Sequence, residues 1–209
     1  PIIPKKYQFW EIEKANEFGA YLQLSMDIVD VGASYFSGYD RIYNLSGINI
    51  SSTNNSPFPS PDSVFTYRKT DVIGLGTTIL ISDLTLRADI GYFETNDLND
   101  NVIRIHPTPS YSNLDWDEEL YRSYAINEEA KYQQMTIQLE YKKNNMNFLV
   151  QYFNHNLISY KASKPTEDDY EIPGFEFEAF DPIDYFFPGM GSPLALMTHN
   201  AILGGVSKS

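Results

Sequence analysis

Four polar residues of this chain sit where the alternation of a strand puts them on one side of a sheet. Arg87 and Asp89 lie in "LTLRADIGYF", and Gln138 and Glu140 in "TIQLEY". A cation, two carboxylates and an amide on one face are the materials of a charged wall that tunes which solutes pass through an aqueous pore. The same residues also suit a mutual ion-pair and hydrogen-bond network that does no more than fill an interior. A second group lies in "TEDDYEIPGFEFEAFD". There Asp168, Asp169, Glu171, Glu176 and Glu178 offer the carboxylate oxygens that a hard divalent cation takes. The Phe and Tyr between them fit a glycan- or protein-facing surface. They fit equally a loop folded onto its own strands.

Other chemistries find no footing. The three histidines, His106, His155 and His199, are far apart and form no metal-ligand spacing. There is no cysteine, so no disulfide frame and no thiolate metal site. "GLGTT" is followed by no helical pattern, which removes the dinucleotide-loop reading, and no nucleophile elbow or phosphate loop occurs. Nothing in the sequence indicates an enzyme, and no cofactor is expected apart from that cation. The net charge of −13 rules against a nucleic-acid partner, which needs a basic footprint. The sequons at Asn44, Asn49 and Asn54 mark a polar stretch.

The elements that must position these residues are strands. The chain has 16 Tyr and 13 Phe among 209 residues, a bias toward β-structure and half-wet surfaces. Three places pair two alternating runs across a short polar break: "EFGAYLQLSM" with "VGASYFSGYD", "DVIGLGTTILI" with "LTLRADIGYF", and "YQQMTIQLEY" with "MNFLVQYFNH". Each reads as a hairpin. "PLALMTHNAILGGV" reads as a further strand. The segments between hairpins, 41–67, 96–131 and 161–189, read as long loops, the second with a short helix around Tyr121 to Ala130. Short turns then fall at one end of an up-and-down sheet and long loops at the other, the asymmetry of outer-membrane barrels.

Parity sorts the strands into two faces. One carries Leu22, Leu24, Val31, Tyr35, Ile73, Leu75, Leu84, Leu86, Ile90, Tyr92, Ile137, Leu139, Tyr141, Val150 and Tyr152, without a charge. The other carries Gly, Ser, Thr and Gln with Arg87, Asp89 and Glu140. A soluble half-buried sheet alternates too, so a soluble sandwich or ligand-binding barrel stays open. Tyr35, Tyr92, Tyr141 and Tyr152 near the strand ends suit an aromatic girdle, and a face rich in Gly and Gln but poor in Lys is unlike a solvated surface.

"VGASYFSGYD", "YRKTDVIGLGTTILISDLTLRADIGYFETND" and "MTIQLEYKKNNMNFLVQYF" together resemble the porin-like outer-membrane β-barrel proteins of Gram-negative bacteria, over about half the chain. The resemblance implies an outer-membrane location, lipid bilayer and lipopolysaccharide as surroundings, and passage or uptake of small solutes. It supplies no catalytic residue. The expected fold is all-β: a single partial domain over 1–209, forming an antiparallel up-and-down transmembrane β-barrel segment of about six to eight strands. Its turns are short and periplasmic, its loops long and extracellular. Because "GGVSKS" lacks the terminal aromatic of such barrels and "PIIPKKYQFW" lacks a signal peptide, the chain reads as an internal piece of a longer protein. A plugged barrel that only displays its loops is the competing expectation.

Overall fold

The computed structural model describes residues 16–53, 56–97, 121–163, 181–186 and 199–208. Eight strands follow one another: β1 Phe18–Ser25, β2 Val29–Thr53, β3 Ser56–Ile81, β4 Leu84–Asn96, β5 Tyr121–Ala125, β6 Glu129–Lys143, β7 Met146–Lys161 and β8 Asn200–Lys208. A single 3₁₀ turn, Pro182–Tyr185, is the one helical element among the described residues. The strands form one antiparallel sheet in the order β1-β2-β3-β4-β6-β7-β8, with β5 added against β2. The sheet is up-and-down and open, with β1 and β8 as its edges.

The three hairpins stand where the alternation puts them. Met26–Ile28, Ser82–Asp83 and Asn144–Asn145 are the short connections, all at one end. Asn144 and Asn145 have φ of 50° and 62°, the left-handed pair that a two-residue turn between twisted strands requires and that asparagine tolerates.

Two expected loops are wholly or partly strand. Residues 41–53 and 56–67 belong to one β2–β3 ladder that continues to Thr53 opposite Ser56, with register shifts at Tyr39/Tyr43, Leu45/Gly47 and Ser51/Thr53. Its Asn, Ser and Pro are turn formers and conceal a strand whose backbone pairing outweighs local preference. In 96–131, the stretch expected to be helical is β5, pairing Gly47–Ser51 of β2, followed by the start of β6. Asn127, at φ 47°, breaks any helix there. The Ile126 amide donates to the Ser46 carbonyl at 2.8 Å and the Asp97 amide to the Glu128 carbonyl at 2.7 Å, so the backbone is committed to its neighbours.

Register confirms the two faces. The row Val31–Thr77–Ala88–Ile137–Tyr152–Ile202 crosses six strands, and Leu84–Tyr141–Phe148–Val206 crosses four. No other element among the described residues covers this apolar face: Leu22 is 75% exposed, Leu75 56% and Val150 50%. With strands ~4.8 Å apart and a rise of ~3.3 Å per residue, the face spans about 30 by 25 Å. That exceeds the largest apolar patch of a typical monomer, roughly 300–600 Å².

The opposite face holds what core there is. Ala130, Tyr132 and Phe186 are buried there, with Phe93, Leu157 and Tyr160 around them. Glycines on the same face leave room for neighbouring rings: a Cβ at Gly32 on β2 would stand 2.7 Å from Tyr21 Oη, and one at Gly91 on β4 the same distance from the Phe93 ring.

Candidate functional site

The polar face has two levels. At mid-height, Arg87 pairs with Thr78 on one side and Gln138 on the other, and Gln138 pairs in turn with Gln151. Asp89 lies between Gly76 and Thr136, and Glu140 between Thr85 and Leu149. All four residues proposed from sequence therefore share one wall. Beside them, a cleft of about 390 Å³ opens over Ser34, Gly74, Gly76, Thr78 and Asp89.

Glu140 is engaged, accepting from Asn147 Nδ2 at 3.0 Å with Lys142 Nζ at 3.6 Å. Arg87 and Asp89 are different. Among the described residues no ion pair or side-chain hydrogen bond joins either of them to a partner, and both are exposed. Among the described residues they pair neither with each other nor with Glu140. They remain a cation and an anion presented to whatever occupies the space above the wall.

At the level of the long connections, the face closes up. Arg68 Nη1 stands 2.9 Å from Glu128 Oε1, with both side chains about 5% exposed (6% and 4%). Tyr160 Oη donates to Glu128 Oε2 at 2.9 Å. Asp97 accepts from Ser46 Oγ at 2.7 Å and from Thr66 Oγ1 at 2.9 Å, and the two hydroxyls touch each other. Burial pushes the Glu128 carboxyl up to about 6, helped by the charge of Asp97 and opposed by Arg68 and Tyr160. Burial, followed by the Glu128 charge, raises Tyr160 as well.

Phe186, just after the 3₁₀ turn, is packed onto this cluster. Its ring lies 5.6 Å under the Arg68 guanidinium, 5.8 Å from Tyr132 edge-on, and 5.2 Å from Tyr160. Phe93 and Tyr132 stack 4.8 Å apart beneath it. The turn that delivers Phe186 is capped by Asp181, which accepts from the Ile183 amide at 3.3 Å. Part of segment 161–189 is thus folded onto its own strands, as one expectation had it. The acidic candidates Asp168, Asp169, Glu171, Glu176 and Glu178 lie outside the described residues. Among the described residues no three His, Asp or Glu side chains come together as a metal site.

Sequence reasoning missed Arg68, Asp97, Glu128 and Phe186. A signal existed for three of them: Arg68 continues the parity of Gly74 and Gly76, Asp97 that of Arg87 and Asp89, and Glu128 that of Gln138 and Glu140. Reading 41–67 and 96–131 as loops cut those series short.

The apolar face is bounded at both ends. At the long-connection end, Tyr35 Oη donates to Asp71 at 3.4 Å and Tyr92 Oη to Glu94 at 3.0 Å, while Lys131 Nζ pairs with Glu94 at 2.8 Å. The hydrogen bond from Lys131, with that from Tyr92, holds the Glu94 carboxyl below its usual range. At the short-turn end, Tyr141 and Phe148 pack 6.4 Å apart, next to Asp83 and Lys142. Tyr152 departs from the girdle expected of it: it sits opposite Ile137, within the band. Comparison of the chain with family models, curated proteins and solved structures gives no match.

Proposed function

We propose that this chain forms part of the wall of a bacterial outer-membrane β-barrel whose polar face lines a water-filled passage for small solutes. The observation that carries the reading is the uncovered apolar face, which is free of charge and rimmed by charge at both ends. Nine residues separate Ile73 from Ile81 inclusive on β3, and the same count separates Leu84 from Tyr92 on β4. A tilted membrane strand needs about 9–11. Hydrocarbon is the environment that gains from such a band; water is not. Tyr35 and Tyr92, apolar in body and hydrogen-bonded at the tip to carboxylates, match side chains at the boundary of a bilayer. In this reading the long connections are extracellular, beside lipopolysaccharide.

Closure completes the picture. β1 and β8 both run toward the short-turn end, so an antiparallel barrel is closed by an odd number of further crossings between them. Arg87 and Asp89 then face the lumen at mid-height, and Phe186 on the Arg68–Glu128 pair narrows its outer mouth.

The second reading, a plugged barrel that serves as a surface or interaction protein, is favoured by that same Phe186 packing. Conductance in planar bilayers separates the two. Passage predicts discrete channels, a shift in ion selectivity on Arg87→Gln, and a conductance raised by Phe186→Ala. A protein that inserts and conducts in none of these forms is the plugged one.

A further inference from the structure

Two of the three histidines, 44 residues apart in the chain, are brought together by the β7–β8 pairing, and the functions above use neither. The His155 amide donates to the His199 carbonyl at 2.9 Å, which places both side chains on the polar face at the long-connection end. The imidazole rings face each other with centroids 5.4 Å apart. His155 Nδ1 is buried and has no hydrogen-bond partner. One ring nitrogen of His155 is therefore unengaged, in a ring that faces His199. Tyr132, edge-on to His155 at 6.3 Å, holds the ring from one side.

We propose that His155 and His199 form a two-imidazole site for a divalent transition ion of the nickel, copper and zinc group. Imidazole nitrogen selects these ions over calcium and magnesium, which take oxygen. The spacing fits. With metal–nitrogen bonds of ~2.0–2.1 Å at a tetrahedral angle, and each ring centre ~1.1 Å behind its nitrogen, two bound imidazoles have centroids about 5.2 Å apart. The rings now lie 24° from parallel, so His199, which is exposed, turns about its side-chain torsions to aim a nitrogen at the ion. Water fills the remaining positions. The ion clips the edge strand β8 to β7 at a point where Tyr132 connects it to the Phe186 packing. This inference does not depend on the pore reading, since it requires only the β7–β8 register.

The test uses the whole chain in detergent micelles at pH 7.5, titrated calorimetrically with zinc chloride and, separately, nickel chloride. Saturable binding of one ion per chain is expected, weakened tenfold or more by His155→Gln and by His199→Gln, and unchanged by His106→Ala. Calcium chloride should give no heat of binding, and zinc binding should weaken as pH falls, because protons compete with the ion for its ligands. Zinc should also protect His155 and His199, but not His106, from diethyl pyrocarbonate in the wild-type chain. That readout needs no variant to fold. Binding that survives both Gln variants, binding that is lost with His106, or the absence of saturable binding overturns the site.

Discussion

Leu86→Arg should lower the stability of the chain refolded into lipid vesicles by roughly 2–4 kcal/mol, while Thr85→Arg, one residue away, should cost less than half of that. Leu86 stands between Ile79 and Leu139 inside the apolar band, two residues from its centre at Ala88. A guanidinium there loses its water and finds no partner, because no charge lies on that face between the Tyr92 rim and the Asp83 turn. The cost falls with distance from the midplane, so Ile90→Arg, as far from the band's centre at Ala88 as Leu86 is, should cost about the same. Thr85 points the other way, opposite Leu80 and Glu140, where a new cation meets a carboxylate on the polar face. The contrast between neighbours is the informative quantity, since both variants add the same bulk and charge to the same strand. Equal penalties for Leu86 and Thr85 would mean that hydrocarbon does not touch the Leu86 face, and the passage proposal would go with it.

How far the sequence was legible follows from which forces set each part. Period-two alternation in "LTLRADIGYF" is what a strand with one apolar and one polar face shows, so β4, its hairpin partner β3 and the positions of Arg87, Asp89, Gln138 and Glu140 on one wall could be read residue by residue. The outer half of the β2–β3 hairpin could not. There both strands leave the apolar band, and what the stretch buries in Asn44 and Ser46 is polar, so "NLSGINISSTNNSPFPSPDS" carries no hydrophobic alternation. What holds it is backbone pairing, which every residue but proline offers equally and which leaves no signature in side-chain type. The His155–His199 contact was illegible for a different reason. It depends on the register of β7 against β8, fixed by a connection of 38 residues between Lys161 and Asn200 whose sequence has no periodicity. The Arg68–Glu128 pair stands between these cases. Each residue continues a legible parity, but their meeting needs the β3–β4–β6 order, which hairpin patterns alone do not give.

That pair also sets the second large effect. Arg68→Ala should destabilise the chain by about 3–5 kcal/mol at pH 7.5, because it leaves the Glu128 carboxylate buried without its cation and removes the guanidinium from the face of Phe186. The pH dependence identifies the cause. Glu128 titrates near 6 in the folded chain, above its unfolded value of 4.5, so the folded state holds the extra proton between those two values. Stability contributed by this group is therefore greatest below pH 4.5 and declines as pH rises through 6, by about 2 kcal/mol in the wild type. Without Arg68 the carboxyl titrates higher still. The penalty of Arg68→Ala should then shrink markedly between pH 7.5 and pH 5, as Glu128 takes up a proton and no longer needs a counter-charge. Arg68→Met combined with Glu128→Gln should recover most of the loss at pH 7.5, since the glutamine carbonyl still accepts from Tyr160 and no charge remains buried. Urea unfolding of the three chains from micelles at both pH values measures all of this. A penalty that is the same at pH 5 and 7.5 would show that Arg68 acts through packing on Phe186 alone, and that the Glu128 charge takes no part in holding this cluster together.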